Sequence, residues 1–552
     1  MIGILSATGR LFDADGRPYC ELRSALIVAL ASLGLLLGTS GCGSSGPTVG
    51  TGADATAIAD PGVKKQLFDT AIDNLNHLEQ FHAEDMLGRI VEHLNESIDW
   101  SRPLDWHVDP LVASLPESDR DLQPMRDLVT DKFLVFDCFY LQEAATLRNI
   151  ARDARGQQAD ELARATRLFD WVVRNLALMQ LGELGADSAG RPLEPNHLPY
   201  QSIFLGRGEV IDRAWVFVLL CRQLGLDAAV LALPGEAPEA PPRPWAVGVL
   251  VGGELYVFDP QLGLPIPAAD GQGVAKLSEL AADDALLRRL DLDAEHPYPV
   301  TAAQLAGCIA LVEGSPGYLS KRMKLVESRL TGDRRIVLTT QPASVADALS
   351  KCPGVHEVQL WRLPYQRLRY QASPDVTASA KREMLAFHAE AVPKKFQGVV
   401  VELARGRTLH LAGKFAGEAG EPSANRSYQR ARVADEDLAA AQLSADELSA
   451  LRAAKQCASY WLALVAFERG RFDSALEHLD KRVLASDSEA ATPWREAGLY
   501  LKSRAHEELG QVEPAVAALE ATSGLQRTGN LLRARWLRDR AAAKNSPTSA
   551  AK

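Results

Sequence analysis

Residues 206–233 read GRGEVIDRAWVFVLLCRQLGLDAAVLAL, and residues 243–260, after a proline-rich loop, read RPWAVGVLVGGELYVFDP. The first stretch predicts a helix that begins at Val210 and ends before Gly225, followed by a strand. Two further strands, 247–250 and 255–258, flank Gly252-Gly253, a strong signal for a hairpin turn. The region therefore predicts helices packed on an antiparallel sheet.

This stretch resembles the core of the transglutaminase-like (papain-type) superfamily. In that family the helix opens roughly as Gly-x-Cys and has a small residue four positions after the nucleophilic Cys. Here Gly208-Glu209-Val210 and Ala214 follow the pattern, and the end of the helix, 219–225, does as well. The resemblance implies that Val210 occupies the position of the catalytic Cys.

The family's next strand usually begins His-Ala-Trp, and the second strand ends in Asp-Pro. The resemblance implies that Pro244, beside Trp245, occupies the His position and that Asp259 keeps the third position of the triad. A valine has no ionisable group and a proline has no side-chain donor, so neither can take part in the proton transfer of a triad. The predicted catalytic set is therefore degenerate.

A displaced catalytic group is the alternative. Cys221 lies eleven residues into the helix, about three turns from the favourable N-terminal end, and is predicted to be a buried core thiol. His197 is predicted to be a surface residue in a loop that covers 195–208. The residues that could line a surviving cleft are Tyr200, Gln201, Arg207, Glu209, Asp212, Arg213 and Trp245. Acidic residues at a helix start are also expected from the helix dipole alone.

The N-terminus has the layout of a secretory signal. A short apolar run, 24–37, follows Arg23, and small residues precede Cys42. This pattern resembles a bacterial lipoprotein cleavage box, with Cys42 as the lipidated first residue of the mature chain. We expect a signal peptide over 1–41, a flexible linker over 42–60, and a location in the cell envelope, lipid-anchored and facing the periplasm. A buried core helix, the alternative, would need polar alternation that this run lacks.

Composition excludes several function classes. The 552-residue chain carries a formal net charge of −11, which argues against a nucleic-acid partner. It has no glycine-rich phosphate loop, no His-Glu-x-x-His and no Cys-x-x-Cys, so the sequence predicts neither a cofactor nor a metal site.

The predicted fold class is α+β, with a helical N-terminal region over 61–155 and the transglutaminase-like domain over 156–268, which begins with a helix over 160–178. An α/β region over 269–394 is expected to contain strands at 335–340 and 356–361 and a helix over 344–350 capped by Ser344. Helical repeats over 395–540 and a disordered tail over 541–552 complete the chain.

The helical region shows an internal repeat. Gly470, Ala475 and Leu479 recur forty residues later as Gly510, Ala515 and Leu519, and a weaker third copy covers 403–415. The pattern resembles tetratricopeptide helix pairs, in which Gly allows a tight turn and Ala allows close packing. An unrelated helical bundle is the alternative.

Two function classes follow. The first is a non-catalytic, membrane-anchored scaffold that binds a protein or peptide partner through the helical repeats. The second is an active transglutaminase-like cysteine enzyme with a rebuilt site. A solute-binding lipoprotein is a third possibility, and it predicts a polar pocket around Arg207, Trp245 and Asp259.

Overall fold

The computed structural model describes residues 60–77, 83–100, 103–179, 196–237, 240–271, 273–371, 385–387, 391–417, 421–486 and 492–545. The predicted signal peptide, Cys42 and linker residues 42–59 lie outside these ranges. The architecture is α+β, as predicted, with a six-stranded sheet among many helices. None of the described helices is both long enough and apolar enough to cross a membrane.

The N-terminal region is helical. Its helices are α1 (Pro61–Asn76), α2 (Ala83–Ser97), α3 (Glu117–Arg120), α4 (Gln123–Arg126), α5 (Val135–Arg155) and α6 (Glu161–Asn175). Helix α6 starts where expected because the Asp160 carboxylate accepts a hydrogen bond from the Ala163 amide at 2.7 Å. It ends at Asn175, short of the predicted 178, because Ala177–Leu178 forms a strand, β1.

Strand β1 pairs in parallel with a second short strand, β2 (Arg207–Gly208), which leads into the central helix α8 (Val210–Gln223). Helix α7 (Pro199–Leu205) precedes β2 in a segment that the sequence predicts to be a loop. That prediction is wrong because Pro199 stands at the first helical position, where a missing amide costs nothing. The prediction for α8 is confirmed, and Gly225 follows it with φ 71°.

The main sheet has the strand order β6-β5-β4-β3-β7-β8. All neighbours are antiparallel except β7 and β8. The strands are β3 (Ala228–Leu233), β4 (Arg243–Val251), β5 (Glu254–Asp259), β6 (Leu264–Pro265), β7 (Ile309–Val312) and β8 (Glu357–Leu360). The β4–β5 hairpin is confirmed, with positive φ at both turn glycines.

Both faces of the sheet are covered. Val230 and Val247 point into an apolar core shared with α8, whereas Leu231 and Val257 point into a second core on the opposite face. Every residue of β3 is buried, which explains why its sequence lacks polar alternation. Strands β7 and β8 come from the predicted α/β region, so this sheet continues across residue 268.

The intervening helices are short. They are α9 (Leu277–Ala282), α10 (Asp284–Arg288), α11 (Ala302–Leu305), α12 (Pro316–Leu319), α13 (Lys321–Arg329), α14 (Pro342–Ser350) and α15 (Leu363–Tyr370).

Two predictions for this region need correction, and one is confirmed. Residues 335–340 form no strand, because the Gln223 side chain occupies the amide and carbonyl of Val337, at 3.2 and 2.8 Å. Helix α14 begins at Pro342 rather than at a Ser344 cap, since Pro fits the first turn. The strand predicted over 356–361 is confirmed as β8.

The C-terminal region contains three helical pairs. They are α16 (Lys394–Leu411) with α17 (Ala424–Arg430), α19 (Ala445–Glu468) with α20 (Phe472–His478), and α21 (Thr492–Glu508) with α22 (Val512–Glu520). Helix α18 (Asp435–Ala440) separates the first two pairs. Gly413, Gly470 and Gly510, after the first helix of each pair, all have positive φ, the conformation in which glycine ends a helix at low cost.

These pairs pack on the core rather than projecting from it. The Arg407 guanidinium donates to the Phe204 carbonyl at 3.1 Å, and the Tyr460 hydroxyl donates to the Arg174 carbonyl at 3.0 Å. Arg504 pairs with Asp170. The first helix of each pair therefore faces the core. The last helix, α23 (Arg527–Asn545), continues past residue 541, where the sequence predicts a disordered tail.

We expect Gly529→Ala to weaken the docking of α23. A methyl group there would overlap the Leu262 backbone, so the free energy of unfolding should fall by about 1–3 kcal/mol. Gly398→Ala is the matched control, because that helical glycine has open space around it and alanine favours helices by about 1 kcal/mol. Urea unfolding measures both, and equal stability of the two variants would contradict the observed packing.

Candidate functional site

A cavity of about 240 Å³ lies at the start of α8. Val210 and Pro244 both line it, as does Pro260, the residue after Asp259. Two of the three positions implied by the family resemblance, Val210 and Pro244, thus line one cavity, and the third, Asp259, is not among its lining residues. The other lining residues are also apolar: Ile211, Ala214, Val230, Trp245 and Ala246.

A bulge in the sheet shapes this cavity. Leu231 pairs with Ala246 and Ala232 with Pro244, so Trp245 is an extra residue that interrupts the β3–β4 register. Bulges re-aim side chains, and here Trp245 turns to line the cavity. Pro244 is tolerated because β4 pairs with β5 only from Val247 onward, so its missing amide interrupts no bond to that strand.

The carboxylate of Asp259 is buried and fully engaged within the protein. It accepts hydrogen bonds from the amides of Gln261 at 2.8 Å and Leu262 at 2.9 Å, and from the Tyr298 hydroxyl at 2.6 Å. The Tyr298 oxygen in turn accepts from the Trp245 indole at 2.6 Å. Burial raises the pKa of Asp259 above its usual range, against the opposing effect of these bonds.

Tyr298 therefore donates to the carboxylate that the resemblance implies as the third position of a triad. Sequence reasoning did not find this residue, because it lies 39 positions after Asp259 in a segment without strand or helix periodicity. The only signal available was its position as a lone tyrosine between two prolines, Pro297 and Pro299.

The lining of this cavity supplies no acid, base or nucleophile. Cys221 is buried as predicted, and burial raises the pKa of its thiol, which disfavours the reactive thiolate. All five cysteines in the described ranges are free and buried. The apolar lining also differs from the polar pocket that a solute-binding role at Arg207, Trp245 and Asp259 requires.

The other residues that the sequence predicts for the cleft do not lie together in one site. Tyr200 and Gln201 line another pocket, on the α5 side of α8. Arg207 lies in β2, and its charge acts on the buried Cys457 of α19. Of the predicted cleft set, Trp245 is the one that lines the cavity.

Glu209 and Asp212 belong to a cluster of charged residues at the N-terminal end of α8. The Glu209 amide donates to the Asp212 carboxylate at 2.8 Å, and Arg367 contacts Glu209 at 3.0 Å and Asp212 at 3.5 Å. His197 is also buried here, 3.9 Å from Asp212. The prediction of a surface position for His197 is wrong because the chain folds it into the interior near Asp212.

Arg213 is buried and bonds carbonyls instead of lining a cleft. Its guanidinium donates to Leu176 at 2.8 Å, to Pro260 at 3.2 Å and to the Gln526 side chain at 2.8 Å. Burial lowers the pKa of Arg213 to about 10. This side chain holds the cavity wall at Pro260 against both α6 and the C-terminal helices.

We expect Tyr298→Phe to destabilise the protein. It leaves a buried carboxylate and the Trp245 indole each short of a partner, at a cost of about 1–3 kcal/mol. Tyr370→Phe is the matched control, because Tyr370 is 58% exposed and the change should stay within about 0.5 kcal/mol. Thermal unfolding compares them; equal transition temperatures would refute the bridging role of Tyr298.

No family model matches this chain, and no curated protein or solved structure matches it. The resemblance to the transglutaminase-like superfamily therefore rests on residues 206–260 alone.

Proposed function

We propose that this chain is a non-catalytic, lipid-anchored binding protein of the cell envelope, built on a degenerate transglutaminase-like core. The observation that carries the proposal is the shared cavity of Val210 and Pro244, which offers apolar surface where a triad would need a thiol and an imidazole. An active cysteine enzyme, the alternative, needs a reactive nucleophile, and the described thiols are all buried.

The cavity sets the chemistry of the partner. Engineered apolar cavities of about 150 Å³ admit benzene, so a cavity of about 240 Å³ accommodates a leucine- or phenylalanine-sized side chain. Apolar burial contributes about 25 cal/mol per Å². We therefore infer a protein or peptide partner that inserts an apolar side chain beside Trp245.

The helical pairs support this site and provide further surface for the partner. Their first helices are covered by the core through Arg407, Tyr460 and Arg504. Arg213 donates hydrogen bonds both to the Pro260 carbonyl in the cavity wall and to Gln526, the residue before α23. The start of α23 therefore adjoins the cavity wall. A partner seated in the cavity would thus meet the tetratricopeptide-like region at this edge.

Filling the cavity tests the proposal. A random-peptide library selected on the full chain should yield peptides with a common aliphatic or aromatic residue. Val210→Trp should weaken their binding at least about tenfold, since loss of one buried apolar side chain costs about 1.5–3 kcal/mol. Val129→Trp, at a 55% exposed position, is the control and should leave affinity unchanged. Peptides that bind both variants equally would exclude the cavity as the binding site.

The lipid anchor is tested separately. Metabolic labelling with an alkyne fatty acid in a bacterial host should modify the full chain and place it in the membrane fraction. Cys42→Ser should lose both the label and the membrane association, whereas Cys20→Ser, within the expected signal peptide, should retain them. Label that persists in Cys42→Ser would contradict the lipoprotein proposal.

A further inference from the structure

A second pocket lies on the other side of α8, between α5, α7 and α15. Phe136, Phe139, Tyr140 and Glu143 all line it from α5. They are spaced at helical positions i, i+3, i+4 and i+7, so they share one face of the helix. Residues from α7 and α15 form the opposite wall, among them Tyr200, Gln201, Pro364 and Leu368.

Glu143 is the charged group of this pocket, and its side chain is buried. One carboxylate oxygen accepts from the Tyr318 hydroxyl at 3.0 Å and the other from the Tyr200 amide at 3.2 Å. No Lys, Arg or His in the described ranges forms an ion pair with it. Each oxygen therefore keeps acceptor capacity for a ligand.

The surroundings favour a cation. Glu313 is a second buried carboxylate, and it forms an ion pair with Arg222. The positive charge of Arg222 is therefore already paired with Glu313. The walls are aromatic, with Phe136 and Tyr140 in edge contact at 4.8 Å between ring centroids. Aromatic faces attract ammonium groups, most strongly where water is excluded.

The pocket is small. Its accessible space is about 60 Å³, which corresponds to roughly four water molecules at about 15 Å³ each. A ligand of about four or five non-hydrogen atoms fits, such as an ammonium on a short aliphatic stem. We propose that this pocket binds an alkylammonium group, with the nitrogen on the Glu143 carboxylate and the stem against Phe139 and Tyr140.

The binding should depend on pH in a defined direction. Burial raises the pKa of Glu143 to about 7. The other titratable or charged groups around it are Tyr140 on its own helix, Arg222 on α8, Glu313 after β7, Tyr318 on α12 and Tyr200 on α7. The neutral acid is favoured below about pH 7, while an alkylamine stays protonated to about pH 10. Affinity should therefore rise about tenfold per pH unit up to about pH 7 and then level off.

The probe is n-butylammonium chloride, titrated into the full chain by calorimetry, with n-butanol as the neutral ligand of the same size. We expect saturable binding of the ammonium and at least tenfold weaker binding of the alcohol. Glu143→Gln keeps the shape of the side chain and one acceptor oxygen but removes its charge. This substitution should weaken binding of the ammonium by about tenfold to a hundredfold and abolish the pH dependence of its affinity.

Phe139→Leu is the second variant, because it keeps an apolar wall but removes the aromatic face. Phe139→Leu should weaken binding of the ammonium and leave the affinity for the alcohol unchanged. Three results would overturn the proposal: no saturable binding of the ammonium, equal binding of ammonium and alcohol, or unchanged ammonium affinity in Glu143→Gln. Because Glu143 lines the pocket on the far side of α8, these results are independent of the Val210 cavity.

Discussion

The buried guanidinium of Arg213 joins segments that are far apart in the sequence. It extends from the first turn of α8 and bonds the carbonyls at the end of α6 and after β5, together with Gln526 before α23. A buried cation is costly unless its donors are satisfied, so these segments must meet around it. The cavity beside Val210 has a fixed wall because Pro260 is one of its partners.

The features predicted correctly from sequence are those set by local chemistry. The apolar run after Glu209 predicts α8, and Gly252-Gly253 predicts the hairpin because a turn with two positive φ angles favours glycine. Gly470 and Gly510 likewise mark turns between helices. Val210 and Pro244 line the same cavity.

The features that sequence could not supply depend on distant partners. Residues 335–340 have strand composition, but the Gln223 side chain occupies Val337 in place of a neighbouring strand. His197 and Arg213 are polar residues, a type usually found at the surface. In the structure both are buried, His197 near Asp212 and Arg213 among four hydrogen-bond acceptors. Tyr298 reaches Asp259 only because the sheet and the segment after α10 fold together. The pocket around Glu143 could not be predicted from sequence, because its aromatic lining comes from both α5 and α7.

The two pockets differ in what they can bind, although one helix separates them. One is apolar and lies beside Val210 at the start of α8; the other contains a buried carboxylate beneath aromatic rings. Neither brings a thiol and an imidazole together among the described residues. A binding role is consistent with the groups present at each pocket.

We propose that Val210 and Pro244 occupy the positions of a lost nucleophile and base. The most direct measurement is the pH dependence of alkylation by iodoacetamide in Val210→Cys, with and without Pro244→His, read by peptide mass spectrometry. The account predicts that the added histidine makes the introduced thiol react at least about tenfold faster near pH 6, because a paired imidazolium lowers a thiol pKa, while native Cys221 stays unlabelled. Identical pH profiles for the two variants, or rapid labelling of Cys221 in the native chain, would contradict it.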